Sequence, residues 1–231
     1  MHESAIPSDV LARVVERRGR RHIAEALDAA SCALVVIDLQ DGFMLPGVPL
    51  EVAAARAIVP NVNRLAAAVR AAGGRVVWVR MNVEGERDSW SAFFRRFPAE
   101  VAERQLIALA PGGAGYPLYA DLDVHPADDI IDKKRYSAFI AGSSPIDGLL
   151  RESGVDTVIV TGTLTNVCCE SSARDAMMLN YNIVFVSDAN ATWTDEQHNA
   201  TLTTIVQSFG DVMTTDEVIE RLRPAQVPAG A

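Results

Sequence analysis

Val158-Ile159-Val160-Thr161-Gly162-Thr163-Leu164-Thr165-Asn166-Val167-Cys168-Cys169-Glu170-Ser171-Ser172-Ala173-Arg174-Asp175-Ala176 reads as a strand, a tight turn and a helix in succession. The β-branched run stops at Thr161-Gly162, and an Ala/Met/Leu-rich segment of helical spacing then begins with a cysteine in its first turn. A thiol placed there faces free backbone N–H groups and the positive end of the helix dipole, which favour the thiolate. Cys168 is therefore the candidate nucleophile, whereas Cys169, turned about 100° further round the helix, packs inward. The alternative for both is the usual fate of free cysteines, small hydrophobes buried between helix and sheet.

Outward from this unit the same alternation repeats. Strands are predicted at residues 33–38, 75–80, 129–132, 155–161, 182–187 and 211–214, and helices at 52–72, 145–153, 166–179, 195–209 and 215–222. The run Ala33-Leu34-Val35-Val36-Ile37 has no polar alternation, as in a strand buried on both faces of a parallel sheet. The predicted fold is α/β: three α/β/α layers around a mostly parallel six-stranded Rossmann-like sheet with right-handed crossovers. The core domain covers residues 31–223, preceded by a helical extension (1–30) and followed by a loose Pro/Ala/Gly tail (224–231). Within the extension, residues 8–27 read as one amphipathic helix, basic through Arg13, Arg17, Arg18, Arg20 and Arg21, that packs on the outside or on a neighbouring subunit.

With 231 residues, 49% hydrophobic and 22% charged, the chain suffices for one well-buried domain. A net charge of −9 and no basic stripe exclude nucleic acid as partner. Three cysteines, two adjacent, make no secreted disulfide framework, and neither a signal-peptide core nor an apolar run of membrane length is present. These features predict a cytoplasmic protein with no membrane contact.

In doubly wound sheets ligands bind beyond the carboxyl ends of the strands. Asp38, Lys133 and Cys168 each fall at such an end and so converge on one crevice. Asp38 can take the thiol proton and return it to a leaving nitrogen, while Lys133 stabilises the thiolate and holds the carboxylate. A tetrahedral oxyanion needs donors in place, and the backbone N–H groups of Leu164 and Cys168 are the candidates. Residues 81–128 carry the aromatic cluster Trp90, Phe93, Phe94 and Phe97, which reads either as an active-site cover or as a satellite core. Phe43, Asn82, Trp90 and Tyr136 are candidate walls, and Arg80 or Arg87 is the candidate partner for a substrate carboxylate.

Asp38-Leu39-Gln40-Asp41-Gly42-Phe43, Lys133-Lys134-Arg135-Tyr136-Ser137-Ala138-Phe139 and Gly162 to Ala176 resemble the Asp-x-Gln-x-x-Phe, Lys-x-Arg-Tyr-Ser-x-Phe and Gly-x-x-Thr-x-x-Cys segments of the isochorismatase-like cysteine hydrolases. The resemblance implies a hydrolase that opens the C–N bond of a small amide, ureido or carbamoyl substrate through a thioester. In it Cys168 is the nucleophile, Asp38 the base and Lys133, not Lys134, the supporting cation. It further implies a cis peptide at Thr163-Leu164 and a homo-oligomer, and the motifs sit closest to ureidoacrylate and N-carbamoyl amidohydrolases. No cofactor and no metal are expected: the metal-binding members carry Asp-x-His spacing, whereas His2, His22, His125 and His198 show no pairing, and His125 and His198 read as surface residues. Two other readings stand beside this one, a vinyl-ether hydrolase in which Cys168 is incidental and a catalytically silent binding protein.

Overall fold

The computed structural model describes residues 2–225. Its main sheet contains β1 (Cys32–Ile37), β2 (Arg75–Met81), β3 (Asp129–Lys133), β4 (Thr157–Thr163), β5 (Asn182–Ala191) and β6 (Asp211–Met213), in the order β3-β2-β1-β4-β5-β6. Every neighbouring pair is parallel. Strand order reverses between β1 and β4, which opens a crevice beyond their carboxyl ends. The helices are α1 (Ser8–Arg18), α2 (Asp41–Met44), α3 (Val59–Ala71), α4 (Ser91–Phe94), α5 (Ala99–Ala108), α6 (Ile146–Glu152), α7 (Glu170–Met178), α8 (Asp195–Ser208) and α9 (Thr215–Arg221). None is long and apolar enough to cross a membrane.

The apolar run of β1 divides by parity, as a strand must. Ala33, Val35 and Ile37 join a core formed with α1, α6, α7 and α8. Leu34 and Val36 join the opposite core, formed with α3 and α9. Both faces of the sheet are therefore covered, and β1 is buried at every residue.

Several boundaries differ from the sequence reading, each for a local reason. The first helix ends at Arg18 and not at residue 27, because Gly19 adopts the left-handed conformation (φ 73°) and its N–H closes on the Val15 carbonyl at 2.8 Å. Val10 and Val14 bury the helix in the chain's own core, beside α8. Beyond it, Leu27–Asp28 pairs in parallel with Leu222–Arg223, a contact the sequence reading missed. The helix expected over 52–72 is a 3-10 segment, Ala53–Ile58, followed by α3, which restarts with Pro60 in its first turn. The tail expected over 224–231 lies, from residue 226 on, outside the described residues.

Residues 81–128 hold α4 and α5, and their Met81, Val83, Phe93, Phe94, Ala102 and Leu109 form a third apolar cluster with Phe43 of α2. Trp90 stacks on Phe93 at 4.4 Å between ring centroids and meets Tyr136 edge-on at 4.9 Å. The aromatics thus form a satellite core, with Trp90 and Tyr136 on its partly buried margin.

β1 and β4 approach as closely as backbone allows. Gly162 lies opposite Ile37 with φ 122°, and a Cβ there would fall 2.1 Å from the Ile37 carbonyl oxygen. Gly162→Ala is expected to cost about 3 kcal/mol or more in urea unfolding, since backbone strain adds to a clash with backbone that has no room to move. Gly148→Ala, in α6 with open space around it, is the control, expected to be neutral or up to about 1 kcal/mol stabilising.

Candidate active site

Asp38 is the first residue past β1 and takes a left-handed conformation (φ 55°), with its N–H donating to the Val79 carbonyl at 2.8 Å. Lys133 closes β3 opposite Met81 of β2. Cys168 sits in a π-helical turn, Thr165–Cys169, which connects β4 to α7. The Leu164 carbonyl receives the N–H groups of both Val167 and Cys169 at 3.1 Å, and no acceptor takes the Leu164 N–H among the described residues. The Thr163–Leu164 peptide bond is cis.

These three stretches bring their side chains together. The Lys133 ammonium lies 2.8 Å from Asp38 Oδ2 and 3.5 Å from Cys168 Sγ, and it also donates to the Arg135 carbonyl at 3.0 Å. Met81 Sδ, at 3.4 Å, completes its surroundings. Lys133 and Asp38 are wholly buried, and Cys168 is 4% exposed. The Asp38–Lys133 contact is an ion pair without aligned hydrogen-bond geometry, which leaves both carboxylate oxygens without a hydrogen-bond donor among the described residues. The carboxylate therefore keeps acceptor capacity for an incoming proton.

Burial pushes the Cys168 thiol up, and the Asp38 charge adds to the effect, although Lys133 opposes it. Burial likewise raises the Asp38 carboxyl against the pull of Lys133. Burial acts to lower the Lys133 ammonium, but the Asp38 charge, joined by Cys168, more than offsets it and holds lysine above its ordinary range. A carboxylate, an ammonium and a neutral thiol sum to zero charge, whereas a thiolate beside a carboxylate would leave a buried excess of one negative charge. Burial and the Asp38 charge thus favour the thiol over the thiolate that the helix-terminus reading expects. The thiol proton can pass to Asp38 within the site at no change in net charge.

The structure brings only some of the predicted substrate residues toward this site. Arg80 alternates with Met81 along β2 and binds Asp132, its register partner, with Nε 3.0 Å from Oδ1, while its guanidinium lies over the Tyr116 ring. Asn82 donates to the same Asp132 at 3.0 Å. Arg87 is exposed and paired with Glu103. All three are thus engaged with carboxylates of the chain itself. Phe43 is buried within the satellite core. Lys134 reaches outward to Glu86 at 2.9 Å.

Residues 32–217 match the isochorismatase domain. The chain belongs to the isochorismatase family. Among relatives, it is 33% identical over 226 residues to a ureidoacrylate amidohydrolase, RutB, of Methylobacterium radiotolerans, covering 89% of this chain and 85% of that one. It is 30% identical to an uncharacterised isochorismatase family protein, YwoC, of Bacillus subtilis, covering 85% of this chain and 97% of that one. A crystal structure of a cysteine hydrolase from Pseudomonas syringae pv. phaseolicola superposes with a TM-score of 0.78 at 32% identity, covering 87% of this chain and 97% of that one.

In this isochorismatase-family chain a cavity of about 360 Å³ is lined by Trp90, Arg135, Tyr136 and Ser137 and, from α7, by Ser171, Arg174, Asp175 and Met178. Cys168, Asp38 and Lys133 are not among its lining residues. Cavities of about 500 and 570 Å³ lie at the amino-terminal ends of the strands, beside Asp156 and Gly74, far from any such chemistry. The sequence reading missed Arg135, Ser171 and Arg174 as lining residues, although all three lie inside quoted motifs. It also misplaced His198, which is fully buried and stacks on His2 at 4.7 Å. Gln40 receives the Met81 N–H at 2.6 Å and donates to the carbonyls of Met81 and Gly115, tying the end of β2 to the loop before β3.

Lys133→Met leaves a buried carboxylate unpaired and is expected to cost about 3–5 kcal/mol in denaturant unfolding at neutral pH. Without the ammonium, the folded-state pKa of Asp38 rises further above its unfolded value. The folded state then holds its proton more tightly, so the deficit shrinks as pH falls toward 4. Equal deficits at pH 7.5 and pH 5 would overturn this account.

Proposed function

We propose that this protein is a cysteine amidohydrolase that cleaves the C–N bond of a small amide, ureido or carbamoyl compound through a thioester. The observation that carries the reading is the buried ammonium of Lys133 lying between the Asp38 carboxylate and the Cys168 sulfur. The ureidoacrylate amidohydrolases among its relatives support the choice of bond.

Asp38 accepts the thiol proton as sulfur attacks the carbonyl carbon. The electron pair displaced onto oxygen is received by the N–H groups of Leu164 and Cys168, of which a single well-placed donor contributes about 10²–10³ in rate. Collapse breaks the C–N bond, and the leaving nitrogen takes the proton held by Asp38. Water then attacks the thioester while Asp38 accepts its proton. Carbon–sulfur cleavage releases the acid, or carbamate, and the proton returns to sulfur. Throughout, Lys133 stays charged and balances the one negative charge as it moves between carboxylate and oxyanion, so no step leaves net charge in the buried site. The aromatic faces of Trp90 and Tyr136 suit a flat acyl group, and the guanidinium groups of Arg135 and Arg174 beside them are paired with Glu86 and Glu170.

Intact-mass spectrometry during incubation with amides, ureas and carbamoyl acids, with ammonia release followed in parallel, tests this reading. A transient adduct on Cys168 is expected, together with a loss of at least about 10³-fold in turnover for Cys168→Ser and about 10²–10⁴-fold for Asp38→Asn. Cleavage of isochorismate or another enol ether by both wild type and Cys168→Ser, with no ammonia from any amide, would overturn it in favour of ether hydrolysis.

A further inference from the structure

A buried polar network runs from the turn that carries the nucleophile into α8 and the amino-terminal segment. Thr165, the first residue of the π-helical turn and fully buried, places its hydroxyl 3.0 Å from Nδ1 of His198. His198 Nε2 lies 3.4 Å from the Ser4 hydroxyl, which reaches the Ser187 carbonyl at 3.5 Å. Behind the ring, His2 stacks on it and is itself fixed by Asp195 at 2.6 Å and by the backbone of Thr192. Two further struts hold the same turn and the start of α7. Thr192 donates to the Asn166 side chain at 2.6 Å, and Thr201, one turn beyond His198 on α8, donates to Glu170 at 2.6 Å.

Burial, with the neighbouring His2, pushes the His198 imidazole down to about 4, so the ring is neutral near pH 7. A neutral imidazole donates from one nitrogen and accepts at the other. One tautomer satisfies the whole chain: the Thr165 hydroxyl donates to Nδ1, Nε2–H donates to Ser4, and the Ser4 hydroxyl donates to the Ser187 carbonyl. An imidazole at a site with no solvent exposure is costly unless both nitrogens are engaged. An apolar side chain would fill the same space without that cost, yet would leave the Thr165 hydroxyl with no acceptor here.

We infer that His198 is a positioning residue: through the Thr165 hydroxyl it fixes the turn that aims Cys168 at Asp38 and Lys133, and His2 and Ser4 hold the ring in register from behind. This inference rests on the cysteine-hydrolase reading. It makes the segment around His2 to Ser4 part of the active-site framework although it lies outside the matched domain.

The test uses the full chain and two readouts, steady-state kinetics on the amide identified above and the alkylation rate of Cys168 by iodoacetamide, located by mass. Thr165→Val, nearly isosteric, and His198→Leu are each expected to lower kcat about ten- to hundredfold and to slow Cys168 alkylation in parallel, with KM within about threefold of wild type. The double variant is expected to be no worse than either single one. Thr165→Ser keeps the hydroxyl, and His198→Asn can place Oδ1 near the position of Nδ1, so both are expected to stay within about threefold of wild type. Should His198→Leu fail to fold, Thr165→Val decides alone. A Thr165→Val enzyme with reduced melting temperature but wild-type kcat and alkylation rate would overturn the inference and leave the cysteine mechanism standing. A wild type that turns over no amide and whose Cys168 resists iodoacetamide would overturn both.

Discussion

A lysine with no solvent exposure sets the terms for the rest of this structure. An isolated ammonium in that position would cost several kcal/mol, so the fold must deliver a counter-charge to the same point. It does so through strand register. β2 and β3 pair so that Lys133 ends level with Met81, and β1 pairs with β2 so that Asp38 emerges just beyond Ile37. A slip of one residue in either pairing would turn one charge to the other face of the sheet and strand its partner. The same ion pair that supports the chemistry therefore also selects the native register.

Once the pair is formed, Cys168 adds a proton but no charge. Ammonium and carboxylate already balance, and an ionised thiol would upset that balance in a buried site. The enzyme reading thus calls for proton transfer on demand, from sulfur to Asp38, timed by the substrate. The π-helical turn serves this need because it sets the sulfur beside both charges instead of directing it outward along a helix dipole.

The doubly wound order and the convergence of Asp38, Lys133 and Cys168 were legible in the sequence, since buried parallel strands read as unbroken apolar runs and their last residues fall at one edge. Less legible were features that depend on partner choice. Arg80 looked available because nothing in its own strand reveals that Asp132 stands opposite it. His198 looked like a surface residue because its neighbours along α8 are polar, while the groups that justify its burial, Thr165 and Ser4, come from distant segments. The surroundings of the thiol were illegible for the same reason: a helix terminus is visible in sequence, whereas burial beside a carboxylate is not. Helix ends were mistaken where one residue, Gly19 or Pro60, outweighed the apolar pattern around it.

The satellite core of Phe43, Met81, Val83, Phe93 and Phe94 has a consequence for the buried charges. It is packed largely from its own aromatics and supplies Trp90, beside Tyr136, to the cavity, while Asp38 and the turn of Cys168 hang from the two central strands where Gly162 faces Ile37. Met81 is the seam between the two: it belongs to the aromatic cluster and touches the Lys133 ammonium, so a change in the packing of segment 82–128 is felt at the buried charges.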